Sequence, residues 1–124
     1  MAKTILVVDD DPDIIYTIKK SFENLDTNYK ILGVESGKKC LKLLKNNKIP
    51  DLILLDIMMP ELSGWDVAAE LKKNPKWKDI PVIFLTAKTD SFSKTLGNIV
   101  VDEYITKPFE FMELKECIDR LLCS

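Results

Sequence analysis

Asp9, Asp10 and Asp11 stand together directly behind an apolar run, and a fourth aspartate, Asp13, follows two residues on. Asp56 likewise closes the run LILL, Thr86 follows VIFL, and Lys107 follows EYIT. Carboxylates crowded in this way need a reason. Two of them about 4 Å apart repel by roughly 4 kcal/mol at an effective dielectric near 20, so three in one pocket call for a compensating cation. Lys107 supplies one positive charge, and a divalent ion would supply more. The chain contains no histidine, which removes the commonest general base and the commonest transition-metal ligand together. Its chemistry must therefore run on carboxylates, hydroxyls, lysine and a hard cation. Oxygen-only donors favour magnesium, which keeps several waters and binds through one or two carboxylates plus a phosphate oxygen. The predicted use of such a pocket is to hold a phosphoryl group beside a metal.

These residues come together only if the elements before them share one sheet. Residues 4–8, 52–55 and 82–85 are nearly continuous apolar runs rich in branched side chains, as central parallel strands covered on both faces require. Residues 30–34 and 103–106 are shorter and more polar and read as edge strands. Asp11 is placed to cap a first helix and Pro12 suits its first turn, with Ile14, Ile15, Ile18, Phe22 and Leu25 as the buried stripe. Asp13 adds a favourable first-turn charge. A second helix is expected over 36–46 with Ser36 as cap and Cys40, Leu41 and Leu44 inward. A third is expected over 64–73 with Val67, Ala68 and Leu71 inward, and a fourth over about 90–98. The last carries the stripe Phe111, Leu114, Ile118, Leu121. Five strands alternating with five helices through short loops predict an α/β fold with one doubly wound parallel sheet. In such sheets ligands bind beyond the carboxyl ends of the strands. Asp9, Asp10, Asp56, Thr86 and Lys107 all fall there.

With 124 residues, the chain fits one compact domain over 1–124. Its net charge of −2 gives no general attraction to nucleic acid or anionic membrane. Its apolar runs are too short to span a bilayer, and no signal-peptide pattern opens the sequence, so a cytoplasmic location is expected. Cys40, Cys117 and Cys123 are an odd set without metal or disulfide spacing and read as reduced thiols.

Four motifs, VVDDD at 7–11, LLDIMMPELSGW at 54–65, FLTA at 84–87 and YITKPF at 104–109, occur in the order and near the spacing found in receiver domains of two-component response regulators. The chain resembles that family over its whole length. The resemblance implies a flavodoxin-like sheet of order 2-1-3-4-5. It makes Asp56 the nucleophile that takes a phosphoryl group from a phosphohistidine on a sensor histidine kinase. Asp9, Asp10 and Asp56, with the backbone carbonyl of Met58, would hold Mg2+, and Lys107 would pair with the phosphoryl oxygens. Thr86 and Tyr104 would form the switch, Pro60 and Gly64 would shape the loop beside Asp56, and Pro108 would follow a cis peptide bond. Output would pass through the fourth helix, the fifth strand and the fifth helix, to an output domain, a docking partner or a weak homodimer. Met58 and Lys88 occupy the two positions that, in the family, tune hydrolysis of the phosphorylated acceptor. The competing reading packs Met58 on the first helix and leaves Lys88 as a solvated charge. Trp65 reads as a partly exposed packing residue.

The sequence departs from the family at VVDEY, 100–104, where valines replace the usual small pair. The expectation is a short or displaced fourth helix with Ile99 and Val100 partly exposed. Two other functions fit some of the same residues. The triplet from Asp9 also resembles the Asp-x-Asp of haloacid-dehalogenase-type magnesium phosphatases, with Asp9 as nucleophile. A pseudo-receiver that binds a partner without phosphorylation is the second. Whether the chain acts alone or belongs to a larger regulator or hybrid kinase is open at this level.

Overall fold

A computed structural model describes residues 2–25, 28–87 and 103–122. The elements are β1 (Lys3–Val8), α1 (Pro12–Asn24), β2 (Tyr29–Val34), α2 (Gly37–Lys45), β3 (Leu52–Asp56), α3 (Gly64–Lys73), β4 (Val82–Ala87), β5 (Glu103–Lys107) and a C-terminal helix, Phe111–Leu122. The strands form one parallel sheet in the order β2-β1-β3-β4-β5. Four helices lie among the described residues. The helix expected over 90–98, the exposure expected for Ile99 and Val100, and Lys88 all lie outside them.

The two faces of the sheet explain the apolar runs. Leu6, Val8, Ile53, Leu55, Val82 and Phe84 face α2 and α3. Their strand neighbours Ile5, Val7, Leu52, Leu54, Ile83 and Leu85 face α1 and the C-terminal helix. A strand covered on both sides has no polar face to show, so the period-two alternation vanishes. Edge strands β2 and β5 keep exposed positions, as their composition predicts.

Helix starts are set by side-chain caps. The Asp11 carboxylate accepts the Asp13 N–H, and Ser36 Oγ accepts the Lys39 N–H. At α3 the expected start gains a full capping box: Ser63 Oγ accepts the Asp66 N–H, and the Asp66 carboxylate accepts the Ser63 N–H. Each such cap contributes about 1 kcal/mol by satisfying amide groups that have no partner inside the helix. One stripe assignment is corrected. Leu25 is exposed rather than buried, because α1 stops at Asn24 and Leu25 serves as its C-cap, with its N–H donated to the Phe22 carbonyl. Among the described residues no helix is long and apolar enough to cross a membrane.

Candidate functional site

Strand register assembles the site. Val8 at the end of β1 is level with Leu55 of β3, so the next residues, Asp9 and Asp56, emerge side by side. On the other flank Asp56 is level with Leu85, and Ala87 with Lys107. Residues nearly a hundred positions apart thereby share one end of the sheet. Carboxylate oxygens of Asp9, Asp10 and Asp56 lie within 4.8 Å of one another. Lys107 Nζ donates to Asp9 Oδ2 at 2.9 Å and to Asp56 Oδ1 at 3.3 Å.

The three acids are not equivalent. Asp9 is fully buried, and its second oxygen accepts the Asp11 N–H at 2.9 Å. Both of its oxygens are therefore engaged by protein donors. Asp10 is exposed. Asp56 is buried but, among the described residues, receives only the longer of the two lysine contacts. Burial, reinforced by the Asp9 charge and only partly offset by Lys107, pushes its carboxyl up to about 6. For Lys107, burial pulls downward, but the Asp9 hydrogen bond and the Asp56 charge outweigh it and the ammonium is held above its ordinary value. With one ammonium among the described residues, the pocket is left short of positive charge. A cluster of hard oxygen donors with that deficit fits a small divalent cation such as magnesium.

The loop after β3 frames the acceptor side. Gly64 donates its N–H to the Ile57 carbonyl at 2.8 Å, and a Cβ at Gly64 would sit 2.4 Å from the Asp56 carbonyl oxygen. No larger residue fits without moving the backbone that carries Asp56. The turn also places Glu61 at φ 67°, a left-handed conformation at a non-glycine residue, and Lys38 pairs with its carboxylate at 2.8 Å. Nothing in the sequence pattern marked Glu61 for this. Met58 is 64% exposed between buried Ile57 and Met59, so the reading that packs it on α1 is corrected: the loop after β3 turns its side chain outward.

Thr86 is buried, and its hydroxyl donates to the Ala87 carbonyl at 2.9 Å rather than to a described carboxylate. Tyr104 is exposed, with its ring 5.8 Å from that of Phe84. Trp65 is half-buried and meets Phe84 edge-on at 4.6 Å, the packing role expected of it. The Lys107–Pro108 peptide is cis.

The chain has known counterparts. Residues 5–119 match the family model of the response regulator receiver domain. The response regulator SaeR of Staphylococcus aureus strain USA300 is 41% identical over 122 residues, covering 95% of this chain and 50% of that protein. The chain therefore spans about half the length of the curated relatives it matches. Among solved structures, the response regulator TrrA of Thermotoga maritima, in complex with Mg2+ and BeF, is 40% identical with a TM-score of 0.81, covering 97% of this chain and 99% of that one. The receiver domain of a signal transduction histidine kinase from Syntrophus aciditrophicus is 32% identical with a TM-score of 0.88, covering 98% and 91%. The chain belongs to the receiver domains of two-component response regulators, the phosphoacceptor domains of that signalling system.

Proposed function

We propose that residues 1–124 act as one receiver unit in which Asp56 takes a phosphoryl group from a phosphohistidine of a sensor histidine kinase. The observation that carries this is the difference between the two buried acids: among the described residues, Asp9 has both oxygens occupied by protein donors, whereas Asp56 is held by one contact at 3.3 Å. The freer carboxylate is the better nucleophile. Its oxygen forms the new bond to phosphorus as the nitrogen–phosphorus bond of the donor breaks, and the imidazole nitrogen keeps the electron pair. Lys107, already between the two acids, pairs with the phosphoryl oxygens as charge moves onto them. Asp9, Asp10, Asp56 and the carbonyl of Met58 would hold Mg2+, which supplies the further positive charge the transferring group needs. The same comparison disfavours Asp9 as the nucleophile of a phosphatase.

The switch follows from what the two remaining site residues leave free. Thr86 spends its hydroxyl on a neighbouring backbone carbonyl, a bond that exchanges readily for a charge-assisted one to a phosphoryl oxygen. Its movement vacates space on the Phe84 side of the sheet, into which Tyr104 turns from its exposed position. One or two such bonds supply the few kcal/mol that shift a two-state population. Output then passes through β5 and the C-terminal helix, with the segment before β5, to an output domain, a docking partner or a weak homodimer. Met58, exposed and apolar, orients no water above the acceptor, and with Lys88 it makes the phosphorylated state last for roughly minutes rather than seconds. A cytoplasmic site of action agrees with the free, buried Cys40 and Cys117, whose thiols burial pushes up to about 12 and about 11.

The test is incubation with acetyl phosphate and magnesium followed by mass-spectrometric mapping of the acid-labile phosphate. Label on Asp56 is expected. Label on Asp9 would transfer the nucleophile's role to that residue, and no label would leave a pseudo-receiver. Phosphate release after donor removal should be faster in Met58→Asn than in wild type, and an unchanged rate removes Met58 from this role.

A further inference from the structure

Half of the chain's positive charge is gathered in two short stretches, most of it toward the end of the molecule remote from the carboxylates. Residues 37–50 and 71–78 hold nine of the eighteen basic side chains and none of the twenty acidic ones. In a chain of net charge −2, the remainder therefore carries the entire negative excess. The first stretch is α2 and the turn after it, and the second is the end of α3 and the turn toward β4. They are neighbours in space, since Cys40 and Leu44 share one apolar cluster with Leu71 and Trp77.

Part of this charge has a local cause. Lys42, Lys45, Lys72 and Lys73 occupy the last turns of their helices, where free carbonyl groups favour cations. Lys48 and Lys76 lie beyond the helices and gain nothing from that. Lys39, Lys42, Lys45, Lys48 and Lys76 make no ion pair with any described residue. Between the two stretches opens a hollow of about 420 Å³ lined by apolar Leu44, Pro75 and Trp77, by Lys45 from α2 and by Lys76 from the turn after α3. A second hollow, of about 500 Å³, shares Asn47 with the first and adds Lys30, Lys48 and the exposed Ile49.

We propose that this face is a docking surface for an acidic protein segment, its carboxylates meeting the unpaired lysines and an apolar side chain entering the hollow beside Leu44 and Trp77. Charge complementarity selects the occupant: the lysines are confined to two short stretches, and a long polyanion such as nucleic acid would run onto the acidic remainder and be repelled. The apolar lining has no use for phosphate but suits a peptide side chain. Lys48 precedes β3 and Asp56 ends it, so about 13 Å of strand, at about 3.3 Å per residue, separates this surface from the acceptor. A partner docked here leaves the carboxylate pocket open to a phosphoryl donor.

The experiment uses the full chain and a short fluorescein-labelled peptide of alternating Glu and Leu, read by fluorescence anisotropy at rising salt. Saturable binding is expected, weakening with salt as surface charges are screened. It should weaken about tenfold in Lys45→Glu/Lys76→Glu and stay near wild type in Lys45→Arg/Lys76→Arg. The single reversals, each expected to weaken binding about threefold, keep the comparison intact if the double variant fails to fold. Three results overturn the proposal: no binding of the peptide, equal binding by wild type and reversed variants, or tighter binding of single-stranded DNA or anionic phospholipid vesicles than of the peptide.

Discussion

Two ion pairs of nearly the same length lie in very different surroundings. Lys38–Glu61 closes at 2.8 Å with side chains 72% and 69% exposed, and Lys107–Asp9 closes at 2.9 Å with side chains 24% and 1% exposed. Distance alone would rank them equal. Physically they differ in kind, because water already solvates the first pair while the second has little solvent to fall back on. An exposed pair can be broken with almost no penalty. In the buried one, removal of either partner leaves a charge that the fold must neutralise, protonate or expel. The upward displacement of Asp56 to about 6 is the visible sign of that pressure.

The strongest way to sharpen the contrast is Asp56→Asn, which should abolish stable phosphorylation while the chain stays folded. Uptake at the wild-type rate would place the acceptor elsewhere. Next comes Lys107→Met, which leaves Asp9 and Asp56 without their shared cation and should destabilise the metal-free protein by about 3 kcal/mol in urea unfolding at neutral pH. A midpoint equal to that of the wild type would erase the distinction between the two pairs.

The pH dependence has a definite sign. The Asp56 carboxyl sits near 6 in the folded chain, above its ordinary value of 3.8, so ionisation penalises the folded state and stability is lost as pH rises from about 4 to about 6. Asp56→Asn has no such charge to bury. Its advantage over wild type without metal should therefore be near zero at pH 4 and grow to about 2–3 kcal/mol by pH 7, gaining about 1.4 kcal/mol for each pH unit crossed between those two values. A gap that stays constant across that window contradicts the assignment. Magnesium should add about 1.4 kcal/mol of stability at ten times its dissociation constant, and less in Asp10→Ala, with equal thermal shifts in the two proteins counting against Asp10 as a ligand. Last, Lys38→Ala should leave the melting temperature where it is. A measurable fall would mean that the exposed pair matters after all.

Much of the pocket was legible from local pattern. The apolar runs before Asp9, Asp56 and Thr86 identify strands covered on both faces, and placing their ends on one edge needs only the rule that parallel strands deliver their carboxyl ends together. Leu25 was misplaced because a 3.6-residue stripe does not say where the helix stops. Met58 offered two readings for a related reason: whether an apolar residue after a strand turns inward depends on the path of the following loop, which Gly64 fixes by its close approach to the Asp56 carbonyl.

By itself the sequence determined the strand segments and the four described helices, their caps at Asp11 and Ser36, the set of residues at the strand ends and the family they belong to, because each rests on periodicity or on motifs a few residues long. Tertiary structure alone decided that Asp9 is buried with both oxygens satisfied while Asp10 stays in water, that Lys107 lies closer to Asp9 than to Asp56, that Glu61 adopts a left-handed turn opposite Lys38, and that two lysine stretches more than twenty residues apart close around one hollow. These properties depend on register and burial between segments distant in the chain. Charge energies change severalfold with that burial, so no local pattern of residue types contains them.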